Sequence, residues 1–309
     1  MIRFPIFHFM NIKLAVYIVV TLCLVNVATT TVMNPMMLGF AQSRQNQTHN
    51  QTTNNNNAPL ISILANNLAN RLNKSAAILQ ITSNLPEVKN HTYASFLKQS
   101  LHGIAANVDI QKRKVAQAIL SADKDFGVIF FLMPNGLVYM EEPYSRQLNL
   151  TTNNLGFRDF YKGVVSTHMP YLGNVVISAS SGRPQTNIAV PVYSENNSNN
   201  NNSSRQSLLG IWAGGLNLPV FNKLLQSLKL TNNEHIVLVD HRGQKIADSD
   251  KYQALNSNQS FANFQSFKNA IAGKTGSIVE AINDTKVLVS YHPVNAIQTK
   301  WAILDILPL

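Results

Sequence analysis

Cysteine and charged residues are both scarce in this sequence of 309 residues. A single Cys excludes any internal disulfide, so an extracellular location has to be argued from other features. Asp, Glu, Lys and Arg make up only 13% of the chain, and 38 Asn supply much of the remaining polarity. These proportions exclude collagen, a coiled coil, a disulfide-rich miniprotein and a membrane protein with several spans. With 45% hydrophobic residues the chain can build a substantial core, and its length suits about two domains.

Acidic residues are missing from the first 86 positions, which carry five Lys and Arg. The rest of the net charge of +10 is spread thinly, and the densest basic cluster is Lys112-Arg113-Lys114. Nucleic-acid backbones are bound by a basic stripe, and the sequence shows none. We therefore expect a diffuse solvated surface and no nucleic-acid partner.

One long apolar run lies near the N-terminus, at residues 14–33, behind Arg3 and Lys13. About twenty apolar residues can cross a bilayer as a helix, and basic residues before them keep that end in the cytoplasm. Residues 1–33 are therefore predicted to be a cytoplasmic stub and a transmembrane anchor, with the rest outside the cell. The alternative is a cleaved signal and a secreted protein, because Gly39-Phe40-Ala41 has the small-x-small pattern of a cleavage site. No second apolar run follows, so no cytoplasmic output domain is expected.

Asparagine-rich segments and helical periodicity precede the strands. Residues 34–57 are predicted to be a disordered Asn/Gln linker, which is too polar to bury a core. Residues 58–125 are predicted to form a helical stalk, with one long helix from Leu60 to Leu85-Pro86 and a second over about 93–120. Ten Asn-x-Ser/Thr sequons agree with export, although an Asn-rich chain produces some by chance. They begin at Asn46, Asn50, Asn73, Asn90, Asn149, Asn196, Asn201, Asn202, Asn258 and Asn283.

Short strands and Gly-containing turns dominate the rest of the chain. Residues 128–139 are typical of a hairpin, because Asn135-Gly136 supplies the positive backbone angles of a tight turn between two apolar runs. A strand–turn–strand, a helix and three further strands occur twice in this order, so we predict modules at 126–226 and 227–309. The fold class is therefore α+β, with a long N-terminal stalk helix before two antiparallel-sheet modules. Strands of the first module are predicted at 171–178, 187–193 and 208–216.

Several short segments occur in an order that is more specific than any one of them. They are Leu85-Pro86-Glu87-Val88, residues 131–136, 156–163 and 188–192, Leu238-Val239-Asp240 with Gly243, residues 291–294, Trp301 and Pro308. Together they resemble the double Cache family of extracellular sensor domains over residues 60–308. The resemblance implies two tandem PAS-like modules, the membrane-distal one at residues 126–226 and the membrane-proximal one at residues 227–309. The stretch 141–149 looks most like Cache sensors of ammonia-oxidising archaea.

The resemblance also implies a function. In this family the distal module usually holds an amino acid, amine or carboxylate, and members are typically fused to histidine kinases or chemoreceptors. We therefore expect an extracellular sensor of a carboxylate-bearing or similar metabolite, which signals through a separate histidine kinase or chemoreceptor. A homodimer through the stalk helix is also expected. The alternative is a surface protein that binds or scavenges solutes, or has a structural role, without signalling output.

The candidate ligand residues follow from the family's amino-acid-binding branch. An Arg-x-Trp-Tyr element grips the ligand carboxylate there, and Arg158-Asp159-Phe160-Tyr161 is similar, with Phe in place of Trp. A guanidinium offers a bidentate fork to a carboxylate, and flanking aromatic rings exclude water. Tyr171 matches the next element, but Gly173 and Gly215 stand where the ammonium-binding Asp residues would be. For Arg158 the alternative is a structural ion pair with Asp159 or Glu141, and for Phe160 and Tyr161 it is an ordinary core position.

Three further residues are weaker candidates for the same pocket. Trp212 is expected to form its floor, with an ordinary core position as the alternative. Ser178 and Asn187 are polar residues on otherwise apolar strands, and a solvent-facing position is their alternative. If the chain around Arg158 is extended, Asp159 points to the opposite side and leaves room for a ligand.

Catalytic constellations are missing from the sequence. The eight His are scattered without a metal-binding pair, and no Gly-x-Ser-x-Gly elbow is present. Cys23 lies within the apolar run, and Asp240, Asp248 and Asp250 are expected at a hairpin surface rather than around a cation. We therefore predict no enzymatic activity, no cofactor and no bound metal.

Overall fold

The computed structural model describes residues 58–195, 206–228, 230, 234–250 and 259–309. The predicted anchor, the Asn/Gln linker and six of the ten sequons lie outside these residues. None of the helices within these ranges has the length and apolar character that crossing a membrane requires. The described helices are α1 (Ala58–Thr82), α2 (Pro86–Lys89), α3 (Ile110–Ala122), α4 (Tyr144–Leu148), α5 (Asp159–Thr167), α6 (Leu218–Gln226) and α7 (Gln265–Ile271). The strands are β1 (Phe126–Leu132), β2 (Val138–Glu142), β3 (Tyr171–Leu172), β4 (Val176–Ile177), β5 (Pro184–Gln185), β6 (Asn187–Tyr193), β7 (Leu208–Leu216), β8 (His235–Val239), β9 (Lys245–Asp248), β10 (Gly276–Ile282), β11 (Thr285–Ala296) and β12 (Thr299–Pro308).

Helix α1 packs against both modules through one row of leucines. Leu64, Leu68 and Leu72 recur every four residues, so they lie on one face of the helix, and all three are fully buried. They share a single core with residues of both sheets, including Trp212 of the first and Trp301 of the second. The long helix is therefore a common support for the two modules.

Two five-stranded antiparallel sheets form the modules. The first sheet has the order β2-β1-β7-β6-β3, and the second has the order β9-β8-β12-β11-β10 when it is read from the matching edge. If the strands of each sheet are numbered in chain order, both orders become 2-1-5-4-3. The repeat predicted from the sequence is thus one topology that is built twice.

The first sheet buries both of its faces. Successive side chains of a strand point to opposite faces, so Phe130 and Phe131 of β1 enter different cores. Phe131 packs with Tyr139 and Trp212 in the core that contains α1. Phe130 packs with α5 on the other face, where its ring meets Phe160 edge to face at 5.8 Å. The face away from α1 carries the candidate site.

The predicted second helix over 93–120 is wrong in its first half. Thr92–Phe96 and Gln99–Leu101 are short 3₁₀ turns, and α3 begins only at residue 110. Gly103 has a φ of 146°, and a Cβ there would lie 2.7 Å from a carbonyl oxygen of β2, so the chain passes too close to the sheet for a helix. Asp109 then starts α3 by accepting a hydrogen bond from a backbone N–H of its first turn.

The predicted strand over 171–178 consists of two separate pieces. β3 pairs with β6 at the edge of the first sheet, whereas β4 pairs with β5 in a two-stranded ribbon of its own. Between the two pieces, the Gly173 N–H donates to the carbonyl of Asn187 at 2.9 Å. The Val175 N–H donates to the carboxylate of Asp240 in the second module at 3.3 Å. These two bonds turn the chain out of the sheet and into the ribbon.

Candidate functional site

A small cavity lies between the first sheet, the start of α5 and the ribbon β4–β5. Its volume is about 20 Å³, which is room for roughly one water molecule. Apolar side chains of β1 and α5 form part of its wall. The polar residues that line it are Glu141, Arg158, Ser178, Ser180, Gln185 and Asn187.

Arg158 is the residue immediately before α5, and it lines the cavity. Its backbone is extended, with φ −70° and ψ 146°, so its side chain leaves the chain before the helix begins. One guanidinium nitrogen, Nη2, donates to the carbonyl of Ile177 in β4 at 2.9 Å. The guanidinium carbon lies 4.9 Å from the ring centre of Phe157. Burial lowers the pKa of Arg158, and the nearby carboxylate of Asp159 opposes that effect.

The chain is extended at Arg158 but not at Asp159, because Asp159 is the first residue of α5. An acidic residue is favoured there by the partial positive charge of the helix N-terminus. Its Oδ2 accepts a hydrogen bond from the Asn174 N–H at 2.6 Å, which ties α5 to the chain after β3. The ion pair considered for Arg158 with Glu141 is replaced by one between Glu141 and Arg146.

Glu141 and Arg146 belong to a network of buried polar groups behind the ribbon. The Ser180 hydroxyl donates to Glu141 Oε1 at 2.6 Å, and Arg146 Nε lies 3.6 Å from the same oxygen. Arg146 also donates from Nε to Ser180 Oγ at 2.8 Å. Its Nη2 donates to Ser178 Oγ at 3.1 Å and to Gln185 Oε1 at 2.8 Å. One guanidinium therefore holds β5 and the turn that joins the two strands of the ribbon.

The two charges of this network are largely withdrawn from water. Glu141 is only 2% exposed, and burial raises its pKa, although Ser180 and Arg146 oppose that effect. Burial lowers the pKa of Arg146, with Glu141 opposing. Within the described residues, the hydrogen bond from Ser180 and the ion pair with Arg146 both involve Oε1 of Glu141.

Gly173 and Gly215 stand where the family's amino-acid-binding branch has Asp residues, and side chains from other segments lie beside both of them. A Cβ at Gly215 would lie 2.2 Å from Gln185 Nε2, so the Gln185 amide takes the place of the missing side chain. That amide donates to Asn187 Oδ1 at 2.7 Å. A Cβ at Gly173 would lie 3.1 Å from Oδ1 of Asp159, so a carboxylate from α5 borders the second position.

Two tyrosines among the predicted site residues lie beside the cavity rather than in its wall. Tyr161 donates its hydroxyl to the carbonyl of Pro134 at 2.6 Å, in the turn of the first hairpin. The ring of Tyr171 packs on Gly163 of α5, where a Cβ would come within 2.3 Å of it. Four of the seven predicted residues do line the cavity, namely Arg158, Phe160, Ser178 and Asn187.

Trp212 lies on the opposite face of the sheet and therefore does not form the floor of this cavity. It is fully buried in the core that contains α1. Its indole Nε1–H donates to Thr82 Oγ1, in the last turn of α1, at 3.0 Å. Strand alternation gives the cavity face to its neighbours Ile211 and Ala213 instead.

Sequence reasoning missed Glu141 and Arg146 as members of the site. A signal existed for Glu141, because two consecutive acids end an apolar strand and alternation must send them to opposite faces. Glu142 indeed turns the other way, toward Arg113 of α3, at 2.6 Å. Arg146 gave no such signal, since its partners Ser180 and Gln185 lie 34 and 39 residues away in the sequence.

A sequence profile of the Cache domain matches residues 41–309. The chain belongs to the Cache domain family. The match covers α1 and both sheets of this Cache protein, which confirms the predicted family and the α+β fold class. No curated protein sequence matches the chain. The likeness to sensors of ammonia-oxidising archaea stays a prediction.

Solved structures of low sequence identity share the fold of this Cache protein. The ligand-binding domain of the Pseudomonas aeruginosa chemoreceptor PctB, in complex with L-Gln, is 17% identical, with 81% of this chain and 88% of that chain covered and a TM-score of 0.54. The corresponding domain of PctC from the same organism, in complex with GABA, is 16% identical, with 81% and 96% covered and a TM-score of 0.53. The extracellular domain of rpHK1S-Z16, a protein assigned as a histidine kinase, is 11% identical, with 82% and 92% covered and a TM-score of 0.62.

Proposed function

We propose that this Cache protein is an extracellular sensor domain whose first module binds a small metabolite carrying both a carboxylate and an ammonium group. The observation that carries the proposal is that Arg158 and Glu141, which have opposite charges, line the same cavity. The bound L-Gln of PctB and GABA of PctC, each with both groups, support this ligand class. The histidine kinase assignment of rpHK1S-Z16, whose extracellular domain has this fold, supports a signalling role.

Arg158 suits the carboxylate end of such a ligand. A guanidinium carries five N–H donors, and the contact with Ile177 uses one of them. The remaining N–H groups can form the parallel pair of bonds that a carboxylate accepts. Partial burial strengthens such a pair, because fewer water molecules compete for either partner.

Glu141 suits the ammonium end. A carboxylate that is 2% exposed is costly to keep ionised, which is why burial raises the pKa of Glu141. A ligand ammonium beside Oε2 would stabilise the ionised form and lower that pKa again. Binding should therefore be stronger above the raised pKa than below it, because the carboxylate is already ionised there.

A ligand of this size needs more room than the cavity has in this structure. Ligand pockets usually measure about 300–1,000 Å³, whereas this cavity measures about 20 Å³. The ribbon β4–β5 is the part of the wall that we expect to move most easily, since each of its strands has only two paired residues. It is held by side-chain hydrogen bonds from Arg146 and Arg158. We expect the ribbon to move outward when the ligand enters.

Calorimetry on variants tests the carboxylate contact once thermal-shift screening of amino acids, amines and carboxylates has found a ligand. Arg158→Ala should weaken binding by about 1.5–3 kcal/mol, or roughly 10- to 100-fold, the range for hydrogen bonds to a charged group. Arg183→Ala is the matched control, because Arg183 is an exposed arginine in the turn of the same ribbon. Equal affinities of the two variants would refute the role of Arg158.

The ammonium contact is tested by combining Glu141→Gln with a ligand analogue that lacks the amino group. The wild-type chain should bind the analogue more weakly than the ligand, and Glu141→Gln should bind the two almost equally. The two losses are then non-additive, as expected for groups in contact. A variant that still discriminates as strongly as the wild type would show that Glu141 does not meet the ammonium group.

Crosslinking in cells distinguishes signalling from its alternative. A histidine kinase or chemoreceptor as the crosslinked partner supports the sensor role. A transporter as the partner would favour solute scavenging instead.

A further inference from the structure

A wider groove lies on the second module, beside α1. Its volume is about 590 Å³, which falls within the range of small-molecule sites. The tip of the β11–β12 hairpin, the β8–β9 turn and α1 all contribute to its wall. The polar residues that line it are Asn73, His241, Asn295, Gln298, Thr299 and Lys300.

The residues that line this groove favour a negatively charged ligand. None of its nine described residues has an acidic side chain, and Lys300 supplies a positive one. Asn73 accepts the Ile297 N–H on its oxygen at 3.0 Å, so its NH₂ is the group left to donate to a ligand. The hydroxyl of Thr299 is a further donor. The neighbouring acid, Asp240, is 1% exposed and accepts backbone N–H groups of its own turn.

His241 contributes an imidazole ring to the wall of the groove. Its Nδ1 is buried, and within the described part of the chain it has no hydrogen-bond partner. Buried polar atoms are nearly always paired, so such an atom points to a partner other than the described residues. His241 lines the groove, so its imidazole can offer a ring nitrogen to a ligand there.

The hairpin tip at the groove is held in an unusual conformation. Ile297 has a φ of 53°, a left-handed angle that is unfavourable for a β-branched residue. The Asn73 side chain fixes its N–H, and the Gln298 amide forms two hydrogen bonds of 2.9 Å with Leu172 of the first module. Local strain that the surroundings maintain in this way is found mostly at binding and switch sites.

We propose that this groove is a second ligand site, for a small organic anion that carries a carboxylate or phosphate group. Lys300 and the Asn73 amide hold the charged head, His241 completes its contacts, and the open side of the groove admits the rest of the molecule. The site uses no residue of the first-module cavity, so it stands independently of the function proposed for that cavity.

The experiment titrates the whole chain with citrate and with inorganic phosphate at constant ionic strength. Calorimetry and the ring-proton NMR signal of His241, assigned through His241→Phe, report the binding. We expect saturable binding of at least one probe, with a shift of the His241 signal. Lys300→Gln should weaken it about fivefold and His241→Phe about tenfold. Lys286→Gln is the matched control, an exposed lysine of β11 outside the groove, and it should change the affinity less than twofold.

Three results would overturn the proposal. The first is no saturable binding of either probe up to about 10 mM. The second is an equal loss in Lys300→Gln and Lys286→Gln, because that pattern marks general attraction to a basic surface. The third is a loss in Arg158→Ala without one in Lys300→Gln, which would place the anion in the first-module cavity instead.

Discussion

The buried ammonium group of Lys112 should make folding stability depend on pH between pH 8 and pH 10. Its Nζ lies 4.1 Å from the ring centre of Phe131 and 4.4 Å from that of Tyr139. It also donates to the carbonyl of Asn90 and lies 3.5 Å from Asp109 Oδ2. Burial nevertheless lowers the pKa of Lys112 from 10.5 to about 8, and Asp109 only partly opposes it.

The sign and the size of the effect follow from proton binding. Between pH 8 and pH 10.5 the unfolded chain holds more protons on Lys112 than the folded chain does, so stability rises with pH in this window. One proton is worth at most about 1.4 kcal/mol per pH unit, and partial titration at both ends leaves about 2 kcal/mol between pH 8 and pH 10. Burial raises the pKa of Tyr139, which has the opposite effect above pH 10, so the measurement ends there.

Urea unfolding at pH 8, 9 and 10, followed by circular dichroism, measures this effect. Lys112→Met removes the titrating group, so the difference in unfolding free energy between the wild type and this variant should grow by about 2 kcal/mol from pH 8 to pH 10. Lys114→Met is the matched control, because Lys114 is exposed on the same helix, and it should follow the wild type. Parallel curves for the wild type and Lys112→Met would refute the reasoning, since Lys112 would then titrate alike in both states.

Two further changes test the packing on either side of the first sheet. Trp212→Phe should lower the free energy of unfolding by about 1.5–3 kcal/mol, because it removes the hydrogen bond to α1 and leaves a small void. Calorimetry should show unchanged ligand affinity, and a loss as large as that of Arg158→Ala would contradict its placement. Gly163→Ala should cost about 1–3 kcal/mol in urea unfolding, because the new Cβ would lie 2.3 Å from the ring of Tyr171. Gly127→Ala, with its nearest neighbour at 3.7 Å, is the control, and equal midpoints for the two would disprove the clash.

Local turn chemistry explains why the repeat could be predicted from the sequence. Gly136 and Gly243 have φ angles of 82° and 81°, and they occupy the same turn in the β1–β2 and β8–β9 hairpins. A positive φ is a requirement of the turn itself, so the residue reveals it without any tertiary information. The segment before α3 behaves differently, because the Ile104 N–H donates to the carbonyl of Tyr139 in β2 at 2.9 Å. Such a contact between distant segments overrides the helical spacing of the apolar residues.

The residues of the candidate site also differ in whether a local sequence pattern or a contact between distant segments determines their position. Arg158 could be predicted as a residue of this cavity because its motif lies within four consecutive residues at the start of one helix. The face that Trp212 takes depends on the register of its strand, and a shift of one residue reverses that face. The partners of Arg146 come together only when the ribbon folds over the sheet, which no local pattern describes.

The chain that leads into the ribbon also makes a contact with the second module. At one end, Ile177 accepts the hydrogen bond from Arg158, which is the proposed ligand contact. Two residues earlier, the Val175 N–H donates a hydrogen bond to the buried carboxylate of Asp240 in the second module.

Coupling between two sites requires more than a contact: an element must have two arrangements, and both sites must influence which of them it adopts. The ribbon meets this requirement if the ligand fits only after the ribbon has moved, because the 20 Å³ cavity and the bond to Asp240 belong to the same closed arrangement. Ligand entry would then strain or break the contact between Val175 and Asp240, and a change at the cavity of the first module would reach the second module through this contact.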